Sequence, residues 1–413
     1  MNSFKFKILT FNLFMSIFLV QISSAQTMSH FEEYRDTLFI ESHQEKGPSL
    51  FRVGATFLNY RDTTEWKNID WFKQYPSEDI IYPAGLDSLK LSLFTIFFAP
   101  ARFYDPSTKQ VRKQLNTGKH DMAILSVKGY RNGNEVYIID QNHNQDLSDD
   151  PIRHFLPLDW RGIDPLIGCR YDVELEDERI SKTGWINLGL QNGDLLSFSS
   201  QHMVAEFSIL GKLFKIGVKD NNSTSFCYLK PSMALLAEDG IQKDTIMKRE
   251  FIERKEFIFL GDQAYRFDTF YNGCGTIVLV KEKNYPEQIG IQMGLLAPDF
   301  VITTLPEKEI RKSDLADKPT MIVNLTGCNG PGTFKQYDDF YERWSDDYHI
   351  IALEPRINKD LPGILVDTEN PKNRNFYKKY RDAYSSYDCF QIGTDGRIND
   401  VFNILHWEKN MLK

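Results

Sequence analysis

No Cys-x-x-Cys occurs in this chain, no two histidines stand at metal-ligand spacing, and no glycine-rich phosphate loop is present. These absences exclude a zinc site of the usual nitrogen and sulfur type and a P-loop nucleotide site. Cysteine itself is scarce: Cys169, Cys227, Cys274, Cys328 and Cys389 are the only five in 413 residues. The number is odd and no two lie close in sequence, so at least one thiol stays free or pairs outside the chain. So sparse a set does not hold the fold together. Basic runs are missing too; 49 Lys and Arg stand against 57 Asp and Glu, a net charge of −8. That balance argues against nucleic acid as a partner. Beyond residue 20 there is no long apolar run. Leu89–Phe98 is interrupted by Lys90 and Ser92 and is too short to cross a bilayer.

What is present begins with a targeting segment. Lys5 and Lys7 precede an apolar run from Ile8 to Val20, and Ser23-Ser24-Ala25 supplies small residues for cleavage after Ala25. This is the pattern of a cleaved secretory signal. It predicts a periplasmic or extracellular protein with no membrane span once residues 1–25 are removed. The remaining chain carries 47 basic and 57 acidic residues, net −10. It is too long for one core and suggests several domains. We expect β-rich domains over 26–164 and 165–290 and an α/β domain over 291–413, with Pro151–Pro165 as a connector.

The first part reads as strands. Leu89–Phe98 alternates with period two. Met122–Val127 and Glu135–Asp140 flank Gly129–Asn134, a hairpin with Asn-Gly chemistry. Val204–Leu210, Leu213–Val218, Glu256–Leu260, Ala264–Phe270 and Thr276–Val280 continue the pattern. After Lys283 strands and helices alternate, the signature of βαβ units. Thr320–Leu325 is a continuous apolar strand suited to the centre of a sheet. Thr333 with Gln336 reads as a capping box opening a helix whose inner face carries Phe334, Tyr337, Tyr341 and Trp344. His349–Leu353 is a second strand. Asn370-Pro371 caps a helix with Phe376, Tyr377, Tyr380 and Tyr384 inward and Lys372, Arg374, Lys378, Lys379 and Arg381 on its wet side. Phe390–Gly393 and Ile398–Phe402 flank Asp395-Gly396, and a last helix is expected over Asn403–Leu412.

Ala297-Pro298-Asp299-Phe300, Ser313-Asp314-Leu315, Lys318-Pro319 and Gly393-Thr-Asp395-Gly396, with a cysteine at the turn from strand to helix, resemble secreted thioredoxin-like proteins of the TlpA and redoxin type. The resemblance covers residues 291–413 and implies a thioredoxin-like domain there. Enzymes of that family open the helix with a nucleophilic cysteine and resolve the mixed disulfide with a second. Here, if Cys328 matches the first cysteine, Pro331 or Gly332 holds the place of the second. If Gly330-Pro331 matches the family's Gly-Pro, Asn329 and Gly332 replace both cysteines and Cys328 stands where the family has tryptophan. Neither alignment restores a dithiol. Tyr387-Asp388-Cys389 stands where the family has its cis-proline.

Two readings of function therefore stand open. In one, the chain is an exported protein with a degenerate active site that binds or scaffolds, taking extended peptide or another envelope protein. In the other it is a thiol-disulfide oxidoreductase or peroxidase-like enzyme using Cys328 alone or with Cys389, with Glu354 and Arg356 assisting proton transfer. Neither calls for a cofactor in its chemistry. A separate signal lies at Asp140-Gln-Asn142-His-Asn144-Gln-Asp146-Leu-Ser-Asp149-Asp150, where oxygen ligands at alternate positions match the way short loops wrap calcium. Gln145 replaces the loop's glycine and Pro151 its closing Glu, so Asp149 or Asp150 would close it. The candidate ligands are Asp140, Asn142, Asn144, Asp146 and Asp150; the same segment also reads as a polar turn. Trp66, Trp71, Trp160 and Trp185 raise a third reading, carbohydrate or surface binding, though such residues more often pack in cores.

Overall fold

The computed structural model describes residues 31–34, 36–51, 56–57, 81–87, 101–113, 115, 124, 126–157, 165–191, 194–220, 226, 228, 230–325, 331–353, 361–380 and 388–411. Leu89–Phe98, Trp66, Trp71, Trp160, Cys227, Cys328, Glu354, Arg356, Arg381, Tyr384 and Tyr387 lie outside them. Two compact units emerge: residues 1–244 with 267–280, and residues 245–266 with 281–413.

The first unit is built from antiparallel strands. β1 (Ser126–Arg131) pairs with β2 (Asn134–Ile139) through the two-residue turn Asn132-Gly133, both at positive φ (52° and 75°). A tight turn of this hand matches the strand twist and needs residues that tolerate the left-handed region. The first strand runs further into the turn than the alternation suggests, while Met122, Ala123 and Leu125 lie outside the described residues. Within the expected connector, Arg153–His154 forms a third strand against Val136 and Tyr137. β3 (Ile167–Glu174) and β4 (Arg179–Gln191) pair over eight residues. Ile167, Cys169, Tyr171, Val173, Ile186 and Leu188 turn into one core with Tyr137 and Ile139. Gly184 faces Cys169 across this pair, and a Cβ there would meet the Phe226 ring at 2.1 Å. The glycine is thus what lets Phe226 lie on the strand and stack on Tyr171 at 5.6 Å. β5 (Gln201–Ile209), β6 (Lys212–Asp220) and β7 (Pro231–Glu238) form a further meander, flanked by His43–Lys46 and Ile241–Gln242.

The second unit carries a five-stranded mixed sheet. β8 (Thr320–Asn324) is central. It runs parallel to β9 (His349–Leu353), which runs parallel to β10 (Ile364–Val366). On its other side lie β11 (Asp388–Ile392) and β12 (Ile398–Asn403), each antiparallel to its neighbour. The parallel step from β8 to β9 is made by α1 (Pro331–Trp344), the crossover that parallel pairing requires. α2 (Arg374–Tyr380) follows the Asn370 cap, whose side chain accepts Lys372 N at 3.0 Å. Every residue of β8 is buried, as expected for a strand covered on both faces. Met321, Val323 and Leu325 pack with Tyr337 and Phe340 of α1; Ile322 packs with Phe376 and Tyr380 of α2.

Ala297-Pro298-Asp299-Phe300 has a clear structural role. Phe300 lies 4.9 Å from the Phe376 ring and 5.9 Å from Tyr380, whose hydroxyl donates to Pro298 O at 2.7 Å. Lys379 Nζ donates to Asp299 O and Lys312 Nζ to Ala297 O. Asp314 holds Arg311 N at 2.8 Å and sets the turn that buries Leu315. Lys372, Arg374, Lys378 and Lys379 are exposed while Phe376 and Tyr380 are buried.

Two helix boundaries differ from expectation. α1 begins at Pro331, so Thr333 lies inside the first turn and is not its cap. Proline suits that first position because its missing N–H has no partner to lose there. The last helix is only Trp407–Asn410 after a 3-10 turn, Ile404–His406, because Asn403 accepts Leu405 N and a tight turn forms first.

Candidate functional site

The carboxyl end of β8 is the place to look for chemistry, since the chain leaves the sheet there and re-enters through the amino end of α1. Leu325 N donates to Leu353 O at 3.1 Å and is the last described residue before the segment carrying Cys328. The arrangement of Cys328 and its distance to other groups fall outside the described residues. Cys389 is described. It stands opposite Val323 on β11 and faces α1, fully buried among Met321, Val323, Tyr337, Phe340 and Phe402. Burial, reinforced by the Asp388 charge, pushes its thiol well above the usual range, with the Asn324 and Ile404 amides opposing in part. Cys389 is therefore a neutral thiol at physiological pH. Cys169, in the first unit's core, is likewise pushed up by burial to about 12. Cys274 is half-buried, its sulfur accepting Tyr104 N at 3.2 Å and lying 3.1 Å from Thr276 Oγ1. None of these three is in a disulfide.

Buried polar groups flank this turn. Asn324 is wholly buried at the end of β8 and Asp388 is buried at the start of β11. The one visible signal was a single polar residue closing an otherwise apolar strand. Asp400 is also wholly buried and is met by Arg249 Nη1 at 3.3 Å, an ion pair that fastens the turn Lys248–Glu250 to β12.

The loop after β2 brings together most of the residues expected to hold a cation. Asp140 is fully buried; its Oδ1 accepts Asn144 N at 3.0 Å and its Oδ2 accepts Gln145 N at 2.9 Å. Asn144 Oδ1 accepts Asp146 N at 2.8 Å, and Asp146 Oδ1 accepts Ser148 N at 2.9 Å and Ser148 Oγ at 2.5 Å. Asn142 and Asn144 both donate their side-chain amides to Asp149 Oδ2 at 3.0 Å. Asp150 Oδ1 accepts Gln141 N at 3.1 Å. Burial first, then the charges of Asp140 and Asp149, push the Asp150 carboxyl up. His143 and Gln145 take positive φ (63° and 65°), so the loop turns without the glycine a calcium loop ordinarily carries. Among the described residues, no three His, Cys, Asp or Glu side chains cluster closely enough to hold a metal ion by themselves.

Trp185 is the one tryptophan of the four candidates that is described. Lys46 Nζ lies 3.9 Å from its ring centroid, and the missing side chain of Gly168 leaves room for the ring. It is half-buried packing rather than an open aromatic platform. Among the described residues no helix is long and apolar enough to cross a membrane.

No protein-family model and no curated protein matches the chain. Solved structures similar to it are thioredoxin-like and peroxiredoxin-like. The thioredoxin domain of a thiol-disulfide oxidoreductase from Bacteroides vulgatus is 13% identical, with 27% of this chain and 89% of that one covered and a TM-score of 0.22. A peroxiredoxin-like protein from Aquifex aeolicus is 14% identical, covering 28% and 80%, with a TM-score of 0.23. A thiol peroxidase from Chromobacterium violaceum is 14% identical, covering 36% and 85%, also at 0.23. The likeness touches a minor part of a strand-rich chain, and at these values no activity and no residue role is transferred by it.

Proposed function

We propose that residues 291–413 form a thioredoxin-like domain of an exported protein and that its work is binding or scaffolding. The partner class is extended peptide or another envelope protein, received at the turn that carries Cys328. The carrying observation is the state of Cys389. Cys328 and Cys389 are the only cysteines in the second unit, and Cys389 is sealed in the core with its ionisation suppressed. Thiol-disulfide exchange runs through thiolates, and a resolving sulfur must reach the mixed disulfide. A sulfur packed under α1 meets neither condition without local unfolding. Such a role calls for no cofactor.

Alkylation of the mature protein with iodoacetamide, followed by peptide mass mapping, tests this directly, with insulin reduction followed in parallel. Cys389 and Cys169 are expected to stay unlabelled until the protein is unfolded. Cys328 is expected to react no faster than an unperturbed thiol of pKa ~8.5, with no insulin turnover. Rapid labelling at Cys328, together with turnover abolished in Cys328→Ser, would instead establish the oxidoreductase reading.

A further inference from the structure

Four carboxylates fall within Asp140–Asp150, and two of them, Asp140 and Asp150, are buried. Their partners are all neutral: main-chain amides, the side chains of Gln141, Asn142 and Asn144, and the Ser148 hydroxyl. Among the described residues no Lys, Arg or His pairs with any of the four. The Arg153 guanidinium is turned to Gln141 Oε1 at 3.1 Å and Pro151 O at 3.0 Å. One oxygen stands out. Asp150 is 8% exposed, and its Oδ2 has neither solvent contact nor any hydrogen-bond partner. Its other oxygen rests on the amide of Gln141, which places the carboxylate against the first turn of the loop, next to Asp140. A dry, unpaired anionic oxygen beside a second buried carboxylate is strongly unfavourable unless a cation shares the space or the carboxyl takes up a proton, and a loop of oxygen donors around it supplies the first.

We propose that this loop binds one hard divalent cation, Ca²⁺, through oxygens of Asp140, Asn142, Asn144, Asp146 and Asp150. The acids alone do not make the set; amide oxygens complete it. Asn142 Oδ1 and Asn144 Oδ1 each accept one main-chain N–H, at 3.2 and 2.8 Å, and keep a second lone pair. An all-oxygen set on an irregular loop suits the six to eight ligands of Ca²⁺ better than the strict octahedron of Mg²⁺, and offers nothing soft for zinc. The position explains what the ion does. Gln141 O accepts Arg170 N at 2.7 Å, Gln145 O accepts Ile81 N at 3.2 Å, and Leu147 N donates to Ile81 O at 2.9 Å. Three chain segments therefore meet at this loop, and a bound ion fixes their junction. The site lies in the first unit and does not depend on the reading of Cys328.

The test uses the mature protein, stripped with EGTA and then titrated with CaCl₂ by calorimetry, with thermal melting followed by circular dichroism. Micromolar or tighter Ca²⁺ binding and a rise of several degrees in Tm are expected, with Mg²⁺ at equal concentration giving no such rise. Asp150→Asn keeps the shape of the side chain and is expected to keep the far-UV spectrum while weakening Ca²⁺ binding roughly tenfold or more. Should Asp140→Asn fail to fold, Asp150→Asn and the metal content of the untreated protein, expected at one calcium per chain, still decide. Identical melting curves with EGTA and with millimolar Ca²⁺, together with no calcium in the protein before or after dialysis against it, would overturn the proposal. So would an unchanged affinity in Asp150→Asn.

Discussion

Lys219 shows how far a single side chain departs from its solution behaviour when the sheet closes over it. It is buried on β6, and burial pushes its ammonium down to about 8, with the neighbouring Asp220 carboxylate opposing. A depressed lysine binds fewer protons in the folded than in the unfolded chain between about pH 8 and pH 10.4. Stability therefore rises with pH across that window, by up to about 3 kcal/mol from this residue alone. Below pH 8 the full cost of the buried charge is present. Urea denaturation of wild type and Lys219→Met at pH 7, 8, 9 and 10 checks this: the difference between the two curves should be nearly level from pH 7 to 8 and shrink from there to pH 10. A constant difference would show that Lys219 is charged or neutral alike in both states. The same logic of burial decides the cysteines. Cys389 reads in the sequence as a candidate partner for Cys328 and in the sheet as a small apolar group, because its neighbours are Met321, Val323, Tyr337 and Phe402.

At the scale of elements, the hairpins of the first unit repeat one device. Asn132-Gly133, Leu210-Gly211 and Asp239-Gly240 are two-residue turns with both φ positive. Asparagine and aspartate tolerate that region through local hydrogen bonds, whereas leucine does not. Leu210 sits there at φ 52°, 88% exposed, so it neither packs nor relaxes. Leu210→Asn is expected to stabilise the protein by about 1 kcal/mol, seen as a higher urea midpoint at unchanged slope. A lower midpoint would mean that the leucine contacts something in solution that outweighs the backbone cost. In the second unit the analogous economy is in Phe300, which joins an irregular segment to α2 through ring contacts and so closes one face of the sheet.

For the molecule as a whole, the proposal of export predicts, from Lys5, Lys7, an apolar core and Ser-Ser-Ala, a chain cut after Ala25 that begins at Gln26. Intact mass and amino-terminal sequencing of protein recovered from the periplasm or medium should give a product starting there; material retaining residues 1–25 in those fractions would contradict it. Removal of the segment moves the net charge from −8 to −10, and anion-exchange retention should shift accordingly.

The residues alone determined the strand-rich character, the Asn-Gly hairpin, the buried central strand and the two amphipathic helices, because each depends on periodicity or turn chemistry within a few neighbours. Asp140, Asn142, Asn144, Asp146 and Asp150 could be picked out as a candidate oxygen set for the same reason, their spacing being local. What only tertiary structure decided was exposure and pairing between distant segments. The sealing of Cys389, the meeting of Arg249 with Asp400 across 151 residues, and the dry oxygen of Asp150 all arise where separate strands converge. Helix ends shifted because a proline or an asparagine cap competes locally with the apolar stripe. The division into units places 245–266 with the final 133 residues, a grouping fixed by contacts that no window of sequence contains.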